Sequence, residues 1–231
     1  ATEGRDKSTW ERFIKEWEKH EGHRHQLIQV SMDMSQAYRS GVADWCRNAE
    51  VVFDKYHVVA HVNAAVDQVR KYELRYGPWS VREALKKTMW IWRKNRENLT
   101  DKEKERLGGI EHKNLWTAKA YQMRLVFQDI YRSATAEEAR RRFRVWCRWV
   151  RMVAAQAPRY YFASMLGAAK MVLNHLDGIL AHWKEKITNA FMEGLNSVFS
   201  ATKRKARGYR STEHLTAILY LVAAKLRIPF H

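Results

Sequence analysis

Two short hydrophobic segments of the sequence are each followed directly by an aspartate. Residues 27–32 and 49–53 are predicted to form buried strands, and Asp33 and Asp54 come immediately after them. Functional groups in α/β sheets collect where the carboxyl ends of strands lie, so the two carboxylates are candidates for one site. Each also has a simpler interpretation, because aspartate favours turns after strands.

A histidine lies one helical turn beyond the second aspartate. The segment Asp54-Lys55-Tyr56-His57 begins where the second predicted strand ends. Both side chains are candidates for a chemical role. His57 can equally be a core histidine with satisfied hydrogen bonds, and Asp54 a turn residue. The residue types alone leave both interpretations open.

A third carboxylate, Glu193, lies on a predicted helix between two amides. Asn189 and Asn196 are about one turn before and after it, where they can orient a carboxylate that binds a metal. Taken alone, Glu193 can also be a solvated helix residue. Carboxylates at strand ends and on a later helix can converge on Mg²⁺, which prefers oxygen ligands. Such ions assist phosphoryl transfer by activating a nucleophile and stabilising a leaving oxygen.

The charge of the chain indicates a polyanionic partner. Its 231 residues include 42 Lys and Arg against 25 Asp and Glu, a formal net charge of +17. This surplus suits nucleic acid or an anionic membrane surface. The longest nearly apolar run, residues 215–224, is about half of the ~20 residues that a membrane-spanning helix needs. An amphipathic segment typical of membrane-surface helices is also missing. The charge therefore indicates nucleic acid as the partner rather than a membrane.

Two groups of basic residues are spaced for contacts with a DNA backbone. In a helix predicted over 136–155, arginines at steps of three and four lie opposite an apolar stripe. This face is either a phosphate-binding surface or simply solvated. The second group follows Glu193, and its contacts would position DNA without reading its sequence. The arginine stripe is Arg141, Arg144, Arg148 and Arg151; the second group is Lys203, Arg204, Lys205, Arg207 and Arg210.

A pair of tryptophans supplies a different kind of candidate contact. Trp90 and Trp92 are two positions apart, so they cannot share one helix face. One of them is therefore expected to be exposed, and Trp90 is the candidate. An exposed indole can stack on an unpaired nucleic-acid base.

Helices must position most of these residues. A first helix, capped by Ser8 or Thr9 and closed by Gly22, precedes the first strand, and a short helix separates the strands. From His57 onward the hydrophobic positions recur with helical spacing, interrupted at Gly77-Pro78. The pattern predicts helices over 81–93, 113–131, 136–155 and 160–183, a capping box at Thr100 and Glu103, and two final helices within 186–227 joined near Gly208.

Taken in order, these motifs resemble those of DDE-type insertion-sequence transposases of the ISL3 family. The resemblance extends from the start of the sequence to about Leu221. No single motif is specific, but the combination is. The segments that carry it are SMDMSQAY (31–38), VVFDKYHV (51–58), WIWRKNRENL (90–99) and TNAFMEGLNSVFSATKRKARGYRS (188–211).

The resemblance implies a fold and an activity. The fold is α+β and mostly helical, with a partial ribonuclease H-like core (1–57), a large all-helical insertion (58–185), and helices that complete the core (186–231). The activity is cleavage of transposon ends and joining to a target, with Mg²⁺ or Mn²⁺. The expected partner is double-stranded DNA, and the expected location is the bacterial cytoplasm, in association with the nucleoid. Asp33 matches the second Asp of the catalytic triad and Glu193 the final Glu. Asp54 and His57 match an auxiliary C/D-x-x-H motif.

One part of the family pattern is absent from the sequence. The first triad Asp should lie on an opening strand, whereas Asp6 belongs to the loop that enters the first helix. We therefore expect this polypeptide alone to be weakly active or inactive. The alternative is a non-catalytic, basic helical nucleic-acid-binding protein or a transposase relic, in which Asp33 and Glu193 are far apart. The sequence is compatible with a homodimer.

Overall fold

The computed structural model of the chain is mostly helical, and its described part contains one two-stranded sheet. The structure describes residues 2, 4, 6–111, 113, 115–158, 160–184, 190–205 and 211–223. Helix, strand, helix and strand follow one another at the start, as the hydrophobic pattern predicts. The coarse expectation of a mostly helical α+β protein is thus confirmed.

The helices and strands have the following bounds. The first part contains α1 (Lys7–Lys19), β1 (Gln29–Met32), α2 (Gln36–Trp45) and β2 (Glu50–Phe53). The next helices are α3 (Lys55–Tyr76), α4 (Trp79–Leu85), α5 (Asp101–Glu111), α6 (Trp116–Ile130) and α7 (Ala136–Gln156). The last are α8 (Ala163–Asn174), α9 (Leu176–Leu180), α10 (Ala190–Lys205) and α11 (Thr212–Ala223). Single 3₁₀ turns occupy Arg24–Gln26, Ile91–Arg93, Arg96–Asn98 and Ala181–Trp183.

One compact unit consists of Ala1–Val30, Ser35–Ala49 and Lys186–His231. Within it, α1 packs closely on α2 at Gly41, where a Cβ atom would lie 2.7 Å from the Cβ of Trp10. A side chain at this position would therefore force the helices apart.

The N-cap of α1 differs from the prediction. It is Asp6 rather than Ser8 or Thr9, because the Asp6 carboxylate accepts the backbone N–H of Thr9 at 2.8 Å. It also accepts the Ser8 hydroxyl at 2.8 Å. The helix ends at Lys19, before Gly22.

The second compact unit consists of Ser31–Met34 and Glu50–Glu185. Its helices α3, α6, α7 and α8 pack against one another around an aromatic core. Phe127 lies 4.8 Å from Trp146 and 5.3 Å from Phe143, measured between ring centroids. The Trp146 indole N–H donates to the carbonyl of Met123 at 2.8 Å. Phe143, Trp146 and Val150 are buried, which confirms the predicted apolar stripe of α7.

Two predicted helices are shorter than expected. The helix predicted over 81–93 ends at Leu85, because Lys87 adopts the left-handed conformation (φ 56°), which a helix cannot contain. The Thr88 hydroxyl then donates to the Leu85 carbonyl at 2.6 Å. The helix predicted over 160–183 is divided into α8 and α9 at His175, whose ring packs edge-on against Phe53.

The final helical pair is confirmed as α10 and α11. Gly208, the predicted joint, lies outside the described residues. Although α11 is rich in apolar side chains, no helix in the described part of the chain has the length and hydropathy needed to cross a membrane.

Candidate functional site

The two strand-end aspartates lie at one edge of the sheet. The backbone N–H of Asp54 donates to the carbonyl of Met32 at 3.1 Å, so the last residues of β1 and β2 pair with each other. Asp33 directly follows Met32, which places both aspartates where the strands end. Asp33 is exposed and Asp54 is half-buried. This arrangement agrees with the strand ends that the hydrophobic segments predict.

Asp54 also has a structural role, as the N-cap of α3. Its Oδ1 accepts the backbone N–H of Tyr56 at 2.8 Å. Its Oδ2 lies 3.9 Å from Nε2 of His57, a distance compatible with charge attraction but too long for a hydrogen bond. The His57 side chain is 59% exposed, so the core-histidine interpretation is wrong. The simpler interpretation of Asp54, a residue that caps the turn after a strand, is confirmed.

Lys55 joins the start of α3 to an aromatic stack. Its Nζ lies 5.1 Å from the centroid of the Tyr131 ring, and this ring stacks on Trp183 at 5.4 Å. Burial raises the pKa of Tyr131, and the negative charge of Asp54 adds to this effect. Burial lowers the pKa of His182, and the positive charge of Lys55 lowers it further. The sequence contains no signal for this contact, because its members are remote from one another along the chain.

Glu193 lies on α10, and so on a helix as predicted. The side chains of Glu193, Asn196 and Lys205 are outside the described set. Asn189, Arg207 and Arg210 lie outside the described residues altogether. Lys203 and Arg204, on the last turns of α10, are exposed. A common site for Asp33 and Glu193 therefore stays a prediction.

The chemistry of Asp33 fits a hard divalent cation, because an exposed carboxylate is a typical ligand of Mg²⁺ and Mn²⁺. In Asp54, Oδ1 accepts the N–H of Tyr56 as part of the N-cap of α3. Among the described residues, no three His, Cys, Asp or Glu side chains are grouped so that they could hold a metal ion. A complete set of metal ligands at Asp33 would therefore have to include Glu193 or another side chain that the structure does not describe.

The four arginines of the α7 stripe are all exposed. None of them forms an ion pair with a carboxylate in the part of the chain that the structure describes. Their neighbours differ: Arg140 pairs with Asp177 at 3.0 Å, and Arg142 pairs with Asp129 at 2.5 Å. The stripe is therefore a solvated cationic surface without local neutralisation.

The two tryptophans of the 90–99 motif have opposite environments. Trp90 is 61% exposed, whereas Trp92 is 2% exposed. The Trp92 indole N–H donates to the Thr88 hydroxyl at 2.9 Å, and the Arg93 guanidinium lies 5.3 Å from the Trp90 ring centroid. The prediction that one of the pair is exposed is confirmed, and Trp90 is that residue.

A buried arginine of α6 contacts the segment that follows Trp90. Arg124 is 2% exposed and donates to the carbonyls of Arg93 and Lys94 at 3.1 and 2.9 Å. Sequence reasoning missed this residue. The available signal was its position on the apolar face of α6, one turn after Tyr121 and about one turn before Phe127.

Comparisons with known proteins agree with the motifs. A family model described as transposase, of the ISL3 type, matches residues 1–219. The transposase for insertion sequence element IS1001 from Bordetella parapertussis is 29% identical over 192 residues. That match covers 80% of this chain but 45% of the relative, so the chain spans about half of the relative's length. No solved structure matches the chain. Because the family model covers nearly the whole sequence, the chain belongs to the ISL3 family of transposases.

Proposed function

We propose that this chain is a catalytic part of a DNA transposase that, as a full-length protein, cleaves transposon ends and joins them to target DNA with Mg²⁺ or Mn²⁺; the chain alone is expected to be weakly active or inactive. The observation that carries the proposal is the position of Asp33. This exposed carboxylate directly follows a strand, at the edge where the adjacent strand ends in Asp54. Membership of a transposase family gives that edge its expected chemistry.

The proposed fold is a partial ribonuclease H-like core interrupted by a helical insertion. Residues 1–57 and 186–231 would form the core, and residues 58–185 the insertion. The order of α1, β1, α2 and β2, followed by the helices α3 to α9, supports this division.

Asp33 and Glu193 are the proposed metal ligands. A pair of divalent ions at these carboxylates would activate the attacking oxygen and stabilise the leaving oxygen of a phosphodiester. Asp54 fixes the first turn of α3 and thereby the direction of His57, whose exposed ring can contact a DNA strand. The amides of Asn189 and Asn196 would orient the Glu193 carboxylate.

Double-stranded DNA is the proposed partner, held mainly through its phosphates. The arginine stripe (Arg141, Arg144, Arg148 and Arg151) and the basic group after Glu193 would neutralise the backbone. Trp90 would stack on an unpaired base near the scissile bond. A homodimer acting on DNA in the nucleoid of the cytoplasm completes the proposal.

Binding of Mn²⁺ tests the metal site without requiring a transposon end. The affinity of the chain for Mn²⁺, measured by electron paramagnetic resonance, should fall by about tenfold or more in Asp33→Asn and in Glu193→Gln. Asp101→Asn is the matched control, because its side chain is fully exposed and, among the described residues, pairs with Lys104. Equal Mn²⁺ affinities in all four proteins would contradict the proposed ligands.

The second candidate function is a basic nucleic-acid-binding protein without catalysis. The solvated, unneutralised arginine stripe favours it as much as it favours the transposase. The two functions differ in their metal dependence. A purely binding protein would hold duplex DNA with the same affinity in Mn²⁺ and in a chelator.

A further inference from the structure

We infer that Arg124 is a positioning residue that holds Trp90 as a rigid stacking platform for an unpaired DNA base. The inference rests on the proposed function of Trp90. It adds a buried residue that touches no DNA and acts through the segment after Trp90.

The guanidinium of Arg124 binds three consecutive residues of that segment. Nη1 donates to the Lys94 carbonyl at 2.9 Å, and Nη2 donates to the Arg93 carbonyl at 3.1 Å. Nη2 also donates to Oδ1 of Asn95 at 2.8 Å. On the other side, Nε donates to Oδ1 of Asn63, on α3, at 2.6 Å. The planar guanidinium thus fixes the segment against two helices.

A buried arginine is an unusual residue for a purely structural contact. Arg124 is 2% exposed, and no carboxylate of the described chain forms an ion pair with it. Its partners are neutral oxygens and the face of Tyr121, 5.6 Å away. A buried cation whose hydrogen-bond acceptors are all neutral is costly. Desolvation lowers the pKa of Arg124, and the negative charge of Glu97 offsets this effect only in part. Geometry compensates for the cost of burying this charge, since no other side chain offers several N–H donors in one rigid plane.

Further contacts hold the same segment. The Tyr121 hydroxyl donates to the Lys94 carbonyl at 2.9 Å, and Lys94 Nζ donates to Glu103 at 2.8 Å. Asp67, buried on α3, lies 3.9 Å from the Arg93 guanidinium. The backbone after Trp90 is therefore fixed from several sides, while the indole itself stays exposed. A rigid support beneath an exposed ring is the arrangement expected of a pre-organised contact.

The chemistry of the exposed surface identifies the ligand class. The Trp90 indole offers a π surface, and the Arg93 guanidinium beside it offers a positive charge. An unstacked base has a free face for the indole and an adjacent phosphate for the cation. A base inside a paired duplex has no free face. We therefore assign the platform to an unpaired base in DNA.

A double-mutant cycle tests the inference. The ligands are two duplexes that differ only in whether one 2-aminopurine is paired or unpaired. Trp90→Ala should weaken binding to the unpaired-base duplex by about tenfold, with little effect on the paired duplex. Arg124→Lys should weaken binding to the unpaired-base duplex by about fivefold, again with little effect on the paired duplex. The double variant should bind like Trp90→Ala alone, because both substitutions remove the same contact.

Arg142→Lys is the matched control, since Arg142 makes hydrogen bonds to Asp129 and Ser133 elsewhere in the helical unit. Thermal unfolding would show whether Arg124→Lys folds. If it does not, Asn95→Ala removes one acceptor of the network and should give a smaller loss with the same selectivity.

The outcomes separate the inference from the function on which it rests. If Arg124→Lys weakens both duplexes equally, or its effect adds to that of Trp90→Ala, Arg124 is structural and the inference is wrong. If Trp90→Ala weakens binding to the unpaired-base duplex but Arg124→Lys does not, the inference is wrong and the stacking role of Trp90 stands. If Trp90→Ala binds the unpaired-base duplex as tightly as the parent does, both the stacking role and the inference are wrong.

Discussion

The backbone N–H of Asp54 donates to the carbonyl of Met32 at 3.1 Å, which joins the ends of two adjacent strands. Because Met32 immediately precedes Asp33, this bond sets the positions of both strand-end aspartates. Asp33 is left exposed, and Asp54 is the N-cap of the long helix α3, which begins at Lys55. The proposed catalytic edge thus follows from one main-chain hydrogen bond and two short hydrophobic strands.

The capping role of Asp54 predicts a stability difference between two substitutions. Asp54→Ala removes the acceptor of the Tyr56 N–H and should lower the free energy of unfolding by about 1 kcal/mol. Asp54→Asn keeps an acceptor oxygen, so its free energy of unfolding should be close to that of the unsubstituted chain. Urea unfolding measures both. Equal stability of Asp54→Ala and the parent would show that the cap contributes nothing.

The arginine stripe predicts a change in the salt dependence of DNA binding. Each substitution of Arg144 or Arg148 by Ala should reduce the slope of log affinity against log salt by about 1. Arg132→Ala removes the same charge from an exposed arginine that already pairs with Asp129, so its slope should change less. Fluorescence anisotropy over a salt series measures these slopes. Identical slopes for all three variants would mean that the stripe is merely solvated.

Glu73 predicts a large loss of stability remote from any proposed DNA contact. This buried carboxylate accepts the backbone N–H groups of Trp116 and Thr117 at 2.8 and 2.7 Å, and so caps α6. Glu73→Ala leaves these donors buried without an acceptor and should lower the free energy of unfolding by about 3 kcal/mol. Glu105→Ala, at an exposed position of α5, is the control and should have little effect. A loss of equal size in both variants would contradict the capping role.

Asp6 predicts a pH dependence of the first helix. Hydrogen bonds from Ser8 and Thr9 lower its pKa from 3.8 to about 2. A carboxylate with a lowered pKa stabilises the folded state above its unfolded pKa. That stability is lost as the pH falls from 3.8 towards about 2. Titration of the Asp6 carboxyl by NMR should show the low pKa, and Ser8→Ala should raise it. A pKa near 3.8 in the parent would contradict the N-cap geometry.

The sequence predicted those parts of the fold that depend on local patterns. The strands before Asp33 and Asp54 are short hydrophobic runs, and α7 combines an apolar stripe with an arginine stripe. The end of α4 is not predictable from the sequence, because it depends on the left-handed conformation of Lys87, which the residue type lysine does not indicate. The cap of α1 was misassigned, since Ser8 and Thr9 are equally good capping residues by type.

The candidate site was predicted in its residues but not in its supports. Trp90 and Trp92 differ in burial as predicted, but the helix assumed in that prediction ends at Leu85, and spacing alone cannot say which of the two is buried. The contacts of Arg124 were out of reach for a different reason. Its acceptors include main-chain carbonyls of residues remote along the chain, and every residue type has such a carbonyl.

The most direct test of the proposed catalytic edge is a crystal structure of the chain soaked in Mn²⁺, with the ion located by its anomalous scattering. The account predicts one Mn²⁺ bound by carboxylate oxygens of both Asp33 and Glu193. Asp33→Asn crystals, soaked in the same way, should lack that ion. Carboxylates too far apart to share an ion, or Mn²⁺ bound to neither of them, would contradict the account.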